Sequence, residues 1–230
     1  FLTFPSLDTL IQHICKETAI GLNIDRVSIW ENTEEKITLE NIYVQHEDKH
    51  YADLTLNKND FKNYFQAIAK DPLVIASDVY QNNDLIDFAH EYFPKYNIKS
   101  LLDIPIYISG KLKAILCLEA TNEIKYWSTE DINFAKTIGD IIALTIETTK
   151  RRRAESQIVY KNEILTAIAN VTSNLLVHKD KNQIFDTSIE QIGKVLKVDR
   201  LYYFENDSKT NLVSQRFEWV SETDLEIGRA

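Results

Sequence analysis

The alternation of apolar and polar positions divides the chain into distinct elements. In "SLDTLIQHICKETAIGL", Leu7, Leu10, Ile11, Ile14, Cys15 and Thr18 recur at helical spacing, the stripe of an amphipathic helix. Ser6 is a natural N-cap, Asp8 suits the helix dipole and Gly21 is the expected stop. "DRVSIWE" and "KITLENIYV" read as strands joined by the polar turn "NTEE". In the first, Val27 and Ile29 point one way and Ser28 and Trp30 the other. A short helix over residues 59–71 puts Phe61, Tyr64, Phe65 and Ile68 on one stripe and stops at Pro72. "LVIAS" predicts a short strand, and "LLDIPIYIS" with "KLKAILCLE" predicts a hairpin around Gly110.

That last strand is apolar on both faces. Leu112, Ala114, Leu116 and Leu118 face one way, and Ile115 and Cys117 the other, so it belongs in the middle of a sheet covered on both sides. One cover is expected to be helical. The other is the irregular 45–100 region, rich in aromatics, acids and amides without a clear period, and a pocket is expected beneath it. Trp30, Tyr43, Phe61, Phe65, Tyr80 and Leu102 are the expected border, with Asp78 as a polar anchor. Asp78, Asp84 and Asp87 with Tyr80 either bind a polar ligand or are exposed acids of a lid.

From Ser128 a long helix is expected. Ser128 and Asp131 form a capping box, and Phe134, Ile138, Ile141 and Thr145 form one stripe, widened by Ala135, Ile142 and Ile146. Gly139 apart, neither Pro nor Gly interrupts the pattern until Gly193. The stretch from Glu147 to Gln157 has almost no apolar face. Ile158, Leu165 and Thr172, with Lys161, Ile168 and Leu175, give an imperfect heptad seam. A parallel homodimer joined along Phe134, Ile138, Ile141, Leu165, Ile168 and Leu175 is the expected partner arrangement; a lone amphipathic helix is the alternative.

"KVDRLYYFEND" (197–207) then repeats "NIDRVSIWENT" (23–33). Asp25-Arg26 answers Asp199-Arg200, Glu31-Asn32 answers Glu205-Asn206, and Leu10-Ile11 answers Ile184-Phe185, at a constant offset of 174 residues. An internal repeat of a whole domain follows, its second copy breaking off after "LVSQRFEWV". The expected division is a domain over 1–147, a linker helix over 148–178 continuous with the helix from 128, and a truncated second unit over 179–230.

Composition narrows the chemistry. The net charge of −9 speaks against a nucleic-acid surface, which neutralises phosphates with Lys and Arg. No apolar run reaches the roughly 18 residues that span a bilayer. Cys15 and Cys117 sit inside apolar patterns and read as reduced core thiols of a cytoplasmic protein. His46 and His50 with Glu47 and Asp48 could share a metal only on a helix, and the segment has no helical pattern. No phosphate loop or Ser-His-Asp set is legible, and His178 does not sit in a phosphoacceptor motif. No catalytic residue and no metal is assigned, and the chain is not expected to be an enzyme.

Together, the opening helix into "DRVSIW", "VIASDVYQNND", "SLLDIPIYISGKLKAILCLE" and "YWSTEDINFAKTIGDIIALTIE" resemble a GAF domain over residues 5 to 147. The resemblance implies an α+β fold: a central antiparallel sheet with a helical layer on one face and a small-molecule pocket on the other. It implies a sensory or dimerising module in a signalling protein, with an output domain such as a histidine kinase in the same chain. The helix bearing "RRRAE" resembles the signalling helices that link such modules. The cyclic-nucleotide subtype is not matched: Glu123 follows Asn122, Trp127 replaces Phe, and Ile132 follows Asp131. "DIP" at 103–105 echoes a phytochrome triad, but no cysteine lies between Lys16 and Leu116. A covalent bilin is therefore not expected, nor is methionine sulfoxide reductase chemistry. The ligand stays unassigned. The alternative is a structural module that dimerises and transmits signals without a ligand of its own.

Overall fold

A computed structural model describes residues 6–177 and 181–221; the side chains of 175, 177 and 181–184 also fall outside the described set. The chain divides into two compact units, Phe1–Lys150 and Arg151–Ala230.

The first unit opens with α1 (Leu7–Leu22), capped by the Ser6 hydroxyl, which accepts from Thr9 N at 3.1 Å. The stop is Asn23 in the left-handed region (φ 47°), not Gly21, which lies inside the last turn. Seven antiparallel strands follow: β1 (Arg26–Asn32), β2 (Lys36–Val44), β3 (Lys49–Tyr51), β4 (Thr55–Asn57), β5 (Val74–Ala76), β6 (Ser100–Ile108) and β7 (Lys111–Ala120). They lie in the order β3-β2-β1-β7-β6-β5, with β4 also on β2. β3 and β4 fall where polarity predicts only loop, because three-residue edge strands are too short to show a period.

β7 lies between β1 and β6, and Ile115, Leu116, Cys117 and Leu118 are all buried. On one face, α1 and the first turns of α4 (Thr129–Val177) pack over Val27, Ile29, Ile104, Leu116 and Leu118. Gly139 permits this approach: a Cβ there would meet Ile104 Cγ2 at 2.9 Å. On the other face, α2 (Lys62–Lys70), α3 (Tyr92–Tyr96) and the 3₁₀ turns at 79–81 and 83–88 cover Trp30, Ile37, Leu39, Ile42 and Ile115.

Ser128 and Asp131 cap α4 reciprocally at 3.1 Å each. Ala135 and Ile142 are buried against the sheet, and Ile138 packs partly buried beside them. Ile138 is therefore no free seam residue but part of its own domain's core. The outward stripe is Phe134, Ile141 and Leu144, at 39, 45 and 62% exposure. In the second unit Leu165 and Ile168 are exposed, and the Leu175 side chain lies outside the described residues.

The second unit carries α5 (Lys181–Leu196), β8 (Arg200–Asp207) and β9 (Leu212–Val220). Its details copy the opening of the first. Lys197 takes the left-handed cap (φ 53°) that Asn23 takes. The strand pair shifts register between Tyr203 and Phe204, as the first does between Ile29 and Trp30. Ser221 N donates to Asp199 O as Gln45 N donates to Asp25 O, each at 2.8 Å.

Candidate functional site

β6 and β7 bring acids to the face beneath the irregular cover. Asp103 pairs across the sheet with Cys117, and Leu101 with Glu119. Directly opposed residues share a face, and so do residues two apart on one strand. Asp103, Cys117 and Glu119 therefore form one polar cluster in an otherwise apolar wall. Asp103 is 2% and Glu119 1% exposed. They line a cavity of about 30 Å³ together with Trp30, Tyr64, Phe88, Tyr92, Phe93 and Ile115, room for one or two waters. Outside it, a groove of about 330 Å³ runs between β4 and α3, and Leu56 and Tyr92 border both spaces.

Buried charge needs partners. Arg26 Nε lies 2.9 Å from Glu119 Oε2, and the guanidinium stacks 4.4 Å from the Tyr96 ring centre. The Tyr64 hydroxyl donates to Asp103 Oδ2 at 2.5 Å. Burial pushes the Asp103 carboxyl up to about 7, partly offset by the Cys117 thiol and the Tyr64 phenol beside it. Burial likewise drives the Tyr64 and Tyr92 phenols and the Cys117 thiol well above their ordinary values. Cys117 is thus a protonated thiol, not a nucleophile.

The expected border is only partly assembled. Trp30 lines the cavity, its Nε1 donating to Ser28 Oγ at 3.0 Å. Phe61 lines the outer groove and stacks on Phe88 at 4.3 Å. Phe65 packs edge-on against Tyr64 behind the wall, and Tyr80 is half exposed, its ring edge toward Phe93. Tyr43 and Leu102 lie on the opposite face, in the helical-side core. Tyr43 pairs with Val27 and Leu102 with Leu118, and each shares its partner's direction. Asp78 is no anchor: its carboxylate caps the turn at 79–81 through Tyr80 N at 3.0 Å. Asp87 caps α2, accepting from Asn63 N and Nδ2 at 2.7 and 2.8 Å.

Sequence reasoning passed over Asp103, Glu119, Arg26 and Tyr92. The usable signal was parity, since an acid two residues from Cys117 must share its face. Parity also corrects the cysteine reasoning. Cys117, one residue beyond Leu116, is on the cavity wall, so position alone does not remove a thiol from the pocket. Among the described residues no three His, Cys, Asp or Glu side chains converge as metal ligands, and no helix is long and apolar enough to cross a membrane.

The sequence matches the GAF domain family over residues 6–146. One curated relative, the methanogenesis regulatory histidine kinase FilI of Methanothrix harundinacea (strain 6Ac), is 31% identical over 82 residues. That is 35% of this chain and 9% of the kinase, so the chain spans a small part of the kinase's length. Among solved structures, the PixJ GAF domain of Thermosynechococcus elongatus superposes with a TM-score of 0.56 at 15% identity, covering 66% of this chain and 90% of that one. The phycocyanobilin-bound GAF domain of a cyanobacterial phytochrome gives 0.55 at 16% identity, covering 64% and 87%. At these identities the likeness concerns the fold.

Proposed function

Since the chain belongs to the GAF domain family, we propose that its first unit is a sensory module, binding a small molecule under the irregular cover and relaying occupancy through α4 to an output domain. The observation that carries this reading is the buried polar cluster in the cavity wall. Asp103 and Glu119 are taken out of water at a cost, on strands whose neighbouring positions are apolar, and both line the cavity. The kinase relative supports a histidine kinase as the kind of output. A ligand acts through α4 only by its differential affinity for two arrangements of that helix. Ile142 and Ala135, buried on the sheet, are where such a difference would enter. The repeat of cap, register shift and strand pairing supports reading the second unit as the opening of another GAF domain. The cavity's small volume favours a second reading, a structural module without a ligand.

A thermal-unfolding screen with pooled metabolites separates the two. A ligand at a hundred times its Kd stabilises by about 2.7 kcal/mol, and an Asp103→Asn variant is expected to lose that response. A wild-type chain that no pool stabilises contradicts the sensory reading.

A further inference from the structure

We propose that the cavity between the sheet and its irregular cover is a site for a primary ammonium group, held by Asp103 and Glu119 within aromatic walls. The proposal rests on the sensory reading above and names the chemistry of its ligand. Glu119 has a counterion in Arg26. Asp103 has instead a phenol and a thiol beside it. Its Oδ1 and Glu119 Oε1 are buried without a donor in hydrogen-bond geometry; the Cys117 thiol and the Tyr92 phenol lie alongside them without being aligned. The site therefore offers acceptors, and with Asp103 ionised it lacks one positive charge.

A primary ammonium supplies both, with up to three N–H donors on a compact cation. Trp30, Tyr64, Phe88, Tyr92 and Phe93 line the cavity, and an aromatic ring attracts a cation that lies over its face. A neutral alcohol supplies no charge to favour ionisation of Asp103, and a quaternary ammonium would leave the oxygens without a donor. The volume of about 30 Å³ admits ammonium, methylammonium or the head of a longer amine. In the last case the chain would pass between Leu56 and Tyr92 into the outer groove.

Binding the cation requires Asp103 to be ionised, so the proton leaves to solvent as the ammonium enters. The groups facing this carboxyl are Tyr64 from α2 and Cys117 and Glu119 from β7; Tyr92 from α3 and Arg26 from β1 face Glu119 beside it. Both phenols and the thiol stay protonated through pH 8. With Asp103 at about 7, apparent affinity is expected to be about tenfold weaker at pH 6 than at pH 8.

The test is thermal unfolding of the 230-residue chain at fixed ionic strength in ammonium, methylammonium, propylammonium, tetramethylammonium or sodium chloride, at pH 6 and 8. The primary ammonium salts are expected to raise the midpoint over sodium, more at pH 8, with tetramethylammonium giving no rise and Asp103→Asn abolishing the effect. A response to ammonium and methylammonium alone identifies a free small cation; a stronger response to propylammonium identifies the head of a longer amine. A rise with tetramethylammonium equal to that with methylammonium, a response that survives in a folded Asp103→Asn, or no response to any primary ammonium overturns the proposal. Should Asp103→Asn not fold, the comparison of primary with quaternary salts in the wild type still decides. If amines fail and another class of metabolite stabilises the chain, this inference falls and the sensory reading stands; if every class fails, both fall.

Discussion

Asp103 is the residue whose state departs furthest from what its position in an apolar strand would suggest. Burial lifts its carboxyl from the ordinary 3.8 to about 7. Between those values the unfolded chain has released the proton and the folded chain still holds it. This residue's contribution to stability is therefore full below the lower value, falls as pH rises between them, and is spent above about 7. Unfolding midpoints from pH 4 to 8 are expected to show the wild type losing ground to Asp103→Asn over that window; parallel curves would contradict it. Tyr64 donates to the same carboxyl, and Tyr64→Phe removes that bond inside the core. A loss of about 1–3 kcal/mol is expected in denaturant titration, and no loss would mean that the phenol does not bond Asp103. Asp25 explains one half of the doubled Asp-Arg pair. Its carboxylate accepts from Thr121 N at 2.7 Å and from Asn122 Nδ2 at 2.6 Å, fastening the chain as it leaves β7, while Arg26 holds Glu119 on that same strand.

At the scale of elements, strands with a clean period were legible and short or irregular pieces were not. β1, β2, β6 and β7 follow their hydrophobic runs to within a residue or two, because each has two buried faces or one. Parity alone also assigns Val27, Ile29 and Trp30 to their faces. Tyr43 stands beside the aromatic-rich stretch of the chain, but its pairing with Val27 places it on the helical side. β2 also carries an extra residue at Glu40, where the register with β1 shifts between Ile29 and Trp30, so its alternation changes phase. Of the cover, α2 was legible by its stripe of Tyr64 and Ile68, and the rest only as an absence of period. Its 3₁₀ turns are held by the side-chain caps Asp78 and Asn82, which leave no stripe to count, and the five-residue α3 is too short to show one. The centre of the sheet gives the sharpest element-level prediction. Leu116→Ala on β7 is expected to cost about 2–5 kcal/mol in lost transfer and cavity energy, read by urea denaturation. A loss below about 0.5 kcal/mol would be that of an edge strand, not of a central one.

For the whole molecule, the proposed partner is a second copy meeting this one along α4. The stripe open to such a partner is Phe134, Ile141 and Leu144 rather than Ile138. Ile141→Glu with Leu144→Glu is expected to give monomers with an unchanged unfolding midpoint in sedimentation and calorimetry. Ile138→Glu is expected to lower the midpoint instead, because it places a charge in the domain's own core. A wild-type chain that sediments as a monomer at high concentration would contradict the dimer. The central claim is that a small molecule occupies the space walled by Asp103 and Glu119. Methyl NMR of Ile and Leu side chains, recorded with and without metabolite pools, tests it most directly. Occupancy predicts that the methyls of Ile115, Leu101 and Ile37, which line the cavity, shift first and together, with Ile142 on α4 following. Pools that leave all of these unmoved, or that move only methyls of the helical-side core such as Leu116 and Ile29, would contradict it.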